Sequence, residues 1–389
     1  MPNPAAAEQL EQFLSPVADA GPPSEVSANE VGLCLSGGGY RAMLFHVGVL
    51  WRLNEMGWLP KLTRISSVSG GSITAGVVAL AWRNLGFDTA GVGTNFRSLV
   101  VDPLRKMAAT SIDVSSVVVG ALLPGVSASD RVTKQYKKVL FGDATLQDLP
   151  DTPRFVFCAT NVQTASLVRF TKKRLADWQV GYVDAPNIEL ARAVTASSAF
   201  PPVLSPCEVK LPEGAMKPFP DVELCRKPFT TDLILSDGGV YDNMGIEPVW
   251  KNCGTVLVSD AGQKISPEEE PAEDWGRHVM RVLDLIDNQV RSLRKRHVVG
   301  SFVTGLRKGA YWGVRTDIAD YQLSDALPCP HEATLKIAST PTRLTAMDEA
   351  TQQRLINWGY AVCDAGMRKH VAVGAPAPAA FPYASGIGG

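Results

Sequence analysis

Three short runs carry residue types able to perform acyl chemistry. Ser36-Gly37-Gly38-Gly39-Tyr40-Arg41-Ala42 sets three consecutive glycines ahead of an apolar periodic run. Such glycines let backbone N–H groups converge into a concave nest, and a helix opening behind them adds partial positive charge. That device holds an anion, either a phosphate or a developing oxyanion. Ser67-Val68-Ser69-Gly70-Gly71 follows the nucleophile-elbow pattern G-x-S-x-G with Ser67 in the first place. Asp237-Gly238-Gly239-Val240-Tyr241-Asp242-Asn243 sets an acid before a glycine pair. Each run also has a plain structural reading: a tight turn, a helix N-cap and an Asx turn. Gly37-x-Gly39-x-x-Ala42 further fits a dinucleotide fingerprint, but the strand that should end in an acid ends in Val68-Ser69. Taken together the runs supply an anion nest, a nucleophile and an acid, the parts that acyl transfer requires.

These runs need strands and helices to aim them. Apolar patterning predicts strands over 31–36, 62–68, 154–160, 167–171, 232–236 and 255–259. It predicts helices over 41–56, 70–82, 188–196, 274–298 and 346–369. Strand–helix alternation implies an α/β fold, a mostly parallel central sheet with helices on both faces. All three runs then lie at the carboxyl ends of parallel strands and converge on one edge of the sheet. Residues 1–29 read as a loose arm with one short helix, and 371–389 as a Pro/Ala/Gly tail that cannot pack a core. Segment 111–126 is apolar and broken by Gly120 and Pro124. It reads either as a core element or as an apolar cap beside the site, suited to a lipid chain.

Composition excludes several functions. The 389 residues hold 38 Lys+Arg against 39 Asp+Glu, a net charge of −1. That balance argues against a nucleic-acid partner and gives no bulk attraction to anionic lipid. No run approaches the ~18 uninterrupted apolar residues of a membrane span. The first 30 residues show neither a basic n-region nor an apolar h-region, so no signal peptide is expected. Seven cysteines without a CxxC read as reduced thiols of a cytoplasmic protein. Five dispersed histidines argue against a metal site.

At these residues the chain resembles the patatin-like phospholipases, over roughly 31–262. The matching runs are the oxyanion loop Gly37 to Ala42, the elbow serine Ser69, the Asp237-Gly238-Gly239 run, and Ala196-Ser197-Ser198-Ala199-Phe200-Pro201-Pro202. Ser67 stands where the family has the elbow's first Gly, and Ala42 where it has the loop's last. The resemblance implies an α/β/α sandwich, with 30–370 as a single catalytic domain bearing a C-terminal helical extension. It implies a catalytic Ser69–Asp237 dyad with no histidine. Gly37, Gly38, Gly39, Arg41 and Gly70 are then the oxyanion and substrate-binding residues. Arg41 either steadies the loop or meets a lipid phosphate. No cofactor is implied. The implied partner is a phospholipid or another acyl ester, met by peripheral contact at the membrane inner face. A homo-oligomer and a small-molecule activator are compatible with it. An exposed Asp, with a pKa near ~3.9, is a poor base, so Asp237 must be buried to serve.

Two other readings compete. A Ser–Asp–His triad could draw on His278, His297, His331 or His370, while His46 suits packing within the first helix. A non-enzymatic nucleotide- or lipid-binding module would use the Gly37–Gly39 nest but has no need of Ser69 and Asp237 together. The basic cluster Arg291, Arg294, Lys295, Arg296, His297, Arg307 and Lys308 reads as a solvated face or as a site for a phosphate-bearing effector.

Overall fold

In a computed structural model of the chain, residues 26–112 and 127–388 are described. Ten strands form one sheet: β1 (Ser27–Leu35), β2 (Arg64–Ser67), β3 (Arg154–Asn161), β4 (Ser166–Phe170), β5 (Arg174–Asp177), β6 (Gly181–Asp184), β7 (Cys207–Lys210), β8 (Asp232–Asp237), β9 (Cys253–Asp260) and β10 (Lys308–Gly313). Their order is β10-β9-β1-β2-β3-β4-β5-β6, with β8 also on β3 and β7 on β8. The centre, β10 through β3, is parallel, as the alternation predicts. Its strands dive into the core toward their carboxyl ends, β1 running from exposed Ser27 to buried Leu35. Burial on both faces explains the apolar runs within β1, β3 and β9.

The antiparallel wing was not legible beforehand. β4, β5 and β6 form a meander, and β5, β6, β7 and β10 were not predicted at all. One expectation is corrected: β8, which ends in Asp237, is antiparallel to both of its neighbours. β4 occupies one edge of β3, so β2 and β8 share the other. β2 pairs as far as Ser67 with Phe157, and β8 arrives from the opposite direction to set Asp237 against Ala159. The two strands therefore meet head-on beside β3, carboxyl end to carboxyl end. Ser69 and Asp237 follow from the two facing ends.

Five helices matter for the site: α1 (Gly39–Glu55), α2 (Gly70–Ala81), α3 (Leu190–Ser198), α4 (Trp275–Val303) and α5 (Glu349–His370). α1 is buried on nearly all sides, which suits a helix at the centre of a domain. It crosses α5 at two glycines. A Cβ on Gly48 would lie 1.9 Å from Ile356 O, and one on Gly359 would lie 1.9 Å from Phe45 O. α5 starts at Asp348, whose side chain accepts the Thr351 N–H, and ends in Arg368, Lys369 and His370, matching the helix dipole. α4 is the exception, with only Val298 and Ser301 buried.

The C-terminal expectation is also corrected. The tail beyond 371 does pack. Tyr383 and Ile387 join the main core, and Asn357 of α5 holds Tyr383 N–H, Tyr383 O and Gly386 O at 2.8–3.0 Å. Two aromatic and aliphatic anchors and one buried amide outweigh the poor composition around them. At the other end β1 begins at Ser27, inside the expected arm. Residues 1–25 and 113–126, which include most of the arm and of the apolar segment, lie outside the described residues.

Candidate active site

Ser69 sits on the turn between β2 and α2 with φ 52° and ψ −121°. A non-glycine residue reaches that left-handed region only where its surroundings enforce it. The enforcement is backbone crowding. A Cβ on Gly70 would lie 2.1 Å from Gly39 O, and one on Gly71 would lie 2.5 Å from Leu35 O. The Ser69 N–H donates to both O and Oγ of Ser197, each at 3.1 Å. Ser67 earns its place here. Its hydroxyl donates to Val156 O at 3.2 Å and accepts from Ser72 Oγ at 2.9 Å, while Ser72 Oγ meets Ser197 Oγ at 2.8 Å. A hydroxyl chain thus ties the elbow to the end of α3, a contact that glycine could not make.

The same end of α3 holds the acid. Ser197 O also accepts the Gly238 N–H at 3.2 Å, and Ala199 O accepts the Asp237 N–H at 2.9 Å. The 197–199 segment is a bracket that fixes both turns by their backbones. Asp237 Oδ1 accepts the Gly239 N–H at 2.7 Å, which sets the carboxyl orientation. Oδ2 is buried with no hydrogen-bond partner among the described residues. Burial raises the Asp237 pKa from 3.8 to about 7. The Gly239 N–H and the nearby Ser69 hydroxyl pull it part of the way back, and the Asp287 charge adds to the rise. Ser69 and Asp237 are therefore brought together, and the acid is the kind of base that burial can make.

The nest differs from expectation at one residue. The Gly37 N–H donates to Asn243 O at 2.9 Å, so it is already spent. The N–H groups of Gly38, Gly39 and Gly70 take part in no hydrogen bond among the described residues. Gly37 instead provides room: a Cβ there would lie 2.4 Å from Asn243 Oδ1 and 3.2 Å from Ser69 Cβ. Asn243, Ser197 and Ala199 are the residues that sequence reasoning did not assign. Asn243 and the 196–202 run lay inside recognised motifs, but which atoms they would hold was not legible.

Arg41 is fully buried, and its contacts favour the loop-steadying role. Nε and one terminal nitrogen donate to Ala261 O at 3.1 and 2.9 Å, and the other donates to Thr340 O at 2.6 Å. Burial lowers its pKa to about 10. His46 is also buried, between Ser36 O at 3.0 Å and Ser259 Oγ at 2.9 Å, and burial lowers its pKa to about 4. That is a packing role.

A cleft of about 810 Å³ opens over Gly37–Gly39, Arg41, Ser69 and Asp237. Its lining includes the apolar run Phe200, Pro201, Pro202, Val203 and Leu204, and charged residues among them Arg281, Asp284, Asp287 and Arg291 of α4. None of the five histidines lines it. The basic cluster is dispersed. Arg291 pairs with Asp260, Arg294 reaches Asp242, Lys295 lies over the Tyr311 ring, and Arg307 lies over the Trp250 ring. No helix among the described residues is long and apolar enough to cross a membrane.

A family model described as patatin-like phospholipase matches residues 33–250. No curated protein matches the sequence. Among solved structures, human GIVD cytosolic phospholipase A2 is similar with a TM-score of 0.53 at 12% identity, over 93% of this chain and 62% of that one. The chain thus spans about three fifths of that enzyme's length. VipD from Legionella pneumophila is similar at 14% identity with a TM-score of 0.36, over 92% of this chain and 73% of that one. The type III effector ExoU is similar at 13% identity with a TM-score of 0.33, over 89% of this chain and 54% of that one.

Proposed function

The chain belongs to the patatin-like phospholipase family, and we propose that it is a lipid acyl ester hydrolase of the phospholipase A or lysophospholipase type, working through a Ser69–Asp237 dyad. The observation that carries this reading is the buried Asp237 carboxyl, whose Oδ2 has no hydrogen-bond partner among the described residues, beside a serine held at positive φ. Asp237, ionised above about pH 7, takes the Ser69 Oγ proton as Oγ attacks the ester carbonyl carbon. The resulting oxyanion is held by the N–H groups of Gly38 and Gly39, with Gly70 behind the nucleophile. Collapse breaks the bond to the leaving alcohol, which receives the proton from Asp237. Water then gives its proton to Asp237 and attacks the acyl-enzyme. The acid product leaves, and the proton returns to Ser69 Oγ. The apolar lining of the cleft suits an acyl chain, and its charged lining suits a polar head group.

A serine-reactive fluorophosphonate tests the assignment. The wild type is expected to be labelled and Ser69→Ala not. Variants His278→Ala, His297→Ala, His331→Ala and His370→Ala are expected to keep most ester hydrolysis, while Asp237→Asn loses it. A single histidine variant as inactive as Ser69→Ala would replace the dyad with a triad.

A further inference from the structure

α4 carries an apolar stripe that nothing among the described residues covers. Trp275, Val279, Val282, Ile286, Val290 and Leu293 follow one another at steps of four, three, four, four and three, the spacing of a helix-pairing seam. They point outward: Trp275 is 84% exposed, Ile286 55% and Leu293 58%. Arg281, Asp284, Asp287 and Arg291, on the opposite face, line the cleft. A contiguous exposed apolar stripe of this kind marks an interaction surface.

The order of residues indicates what covers it. The seam is palindromic about Ile286. Reversing the helix places Ile286 on itself, Val282 on Val290, Val279 on Leu293, and Trp275 on His297, which stacks on Trp250. An antiparallel copy of the same helix about a two-fold axis at Ile286 therefore sets apolar against apolar at Ile286 itself, at Val282 with Val290 and at Val279 with Leu293. The charges reverse as well. Glu269, Glu270 and Glu273 precede the seam, and Lys295, Arg296 and Lys308 stand at its far end; Glu268, Asp274 and Arg294 are paired within the chain, with Arg281, Arg277 and Asp242. Antiparallel pairing sets each acidic run beside the other copy's basic end, whereas a parallel pair would set like beside like. The acidic run also counts against an anionic lipid surface as the occupant. We propose that a second copy of this chain docks on this stripe, α4 against α4, antiparallel about a two-fold axis at Ile286. Both clefts stay open, because the seam and the cleft lie on opposite faces of the helix.

The test uses the full chain. Sedimentation is expected to give a dimer of about twice the 41.7 kDa monomer mass. Ile286→Asp places two carboxylates at the axis, and it is expected to weaken association by at least about 100-fold at an unchanged melting temperature. The arrangement is read by mild oxidation with diamide. Ile286→Cys is expected to cross-link to itself, and Val279→Cys only when mixed with Leu293→Cys. A wild type that is monomeric at 100 µM overturns the proposal, whether or not it binds phosphatidylcholine or phosphatidylglycerol vesicles. An Ile286→Asp dimer overturns it too, as does Val279→Cys that cross-links to itself as readily as Ile286→Cys.

Discussion

Asp237→Asn should abolish ester hydrolysis and at the same time stabilise the protein, by an amount that depends on pH. In the native state burial raises the carboxyl from 3.8 to about 7. The unfolded chain ionises it near the ordinary value. Between those two pH values the folded form binds a proton that the unfolded form does not, so the carboxyl's contribution to stability falls as pH rises. Below about pH 3 both forms are protonated and the wild type bears no penalty. Above pH 8 the full cost of a buried charge applies, about 4 kcal/mol. Asparagine keeps the acceptor for the Gly239 N–H and never ionises. Its advantage should be about 0.5 kcal/mol at pH 4, about 1.5–2 kcal/mol at pH 5, and saturate at about 4 kcal/mol above pH 8. For a chain this long that is roughly 5 °C in melting temperature. Thermal melts of both proteins from pH 4 to 8.5, beside ester hydrolysis over the same range, provide the comparison. Wild-type kcat/KM should rise through about pH 7. A stability difference that is flat with pH, or a wild type more stable than Asp237→Asn at pH 8.5, would refute the buried-base reasoning.

Other perturbations act on the supports of the site. Arg41→Lys keeps a charge but loses the fork that holds Ala261 O and Thr340 O; a loss of about 2–4 kcal/mol in thermal melts, with slower ester hydrolysis, is expected. Gly39→Ala meets both φ +58° and Arg343 O at 2.7 Å; kcat should fall by about 10²–10³ as the nest shifts, with little change in KM. Deleting residues 376–389 strips Asn357 of its partners and takes Tyr383 and Ile387 out of the core; a stability lowered by roughly 3–5 kcal/mol in thermal melts, with ester hydrolysis retained at 25 °C, is the expected result.

The three chemical runs were legible because their physics is local. A nest needs glycines, an elbow needs small neighbours, and an acid ahead of two glycines announces a turn. Strand direction is not local. The run ending in Asp237 has the same apolar pattern whether it lies parallel or antiparallel to β3, so only the pairing of Asp237 with Ala159 reveals the head-on approach. The Gly37 N–H looked free for the same reason, since its partner Asn243 O lies more than two hundred residues away in sequence. α4 gives the converse case. Its apolar periodicity predicts a helix correctly, but periodicity alone does not say whether the apolar face meets the core or another molecule. The tail was misjudged because composition averages over residues, and two anchors are enough to dock it.

Under the proposed dyad, why an aspartate can serve without a histidine follows from the same arrangement. A histidine base arrives on a long side chain and needs a third group to orient it. Here the nucleophile turn and the acid turn hang from one bracket, Ser197 O accepting from both Ser69 and Gly238. The short carboxyl therefore needs only the Gly239 N–H to fix its torsion. Its remaining deficiency is basicity, and burial supplies that at the cost of stability. A further donor to Oδ2, beyond the Ser69 hydroxyl that the reaction requires, would recover the stability and lower the pKa, weakening the base. The buried Asp237 carboxyl is thus the feature on which catalysis and folding make opposite demands under the proposed dyad, and a donor introduced beside Oδ2 should slow the reaction even where the fold tightens.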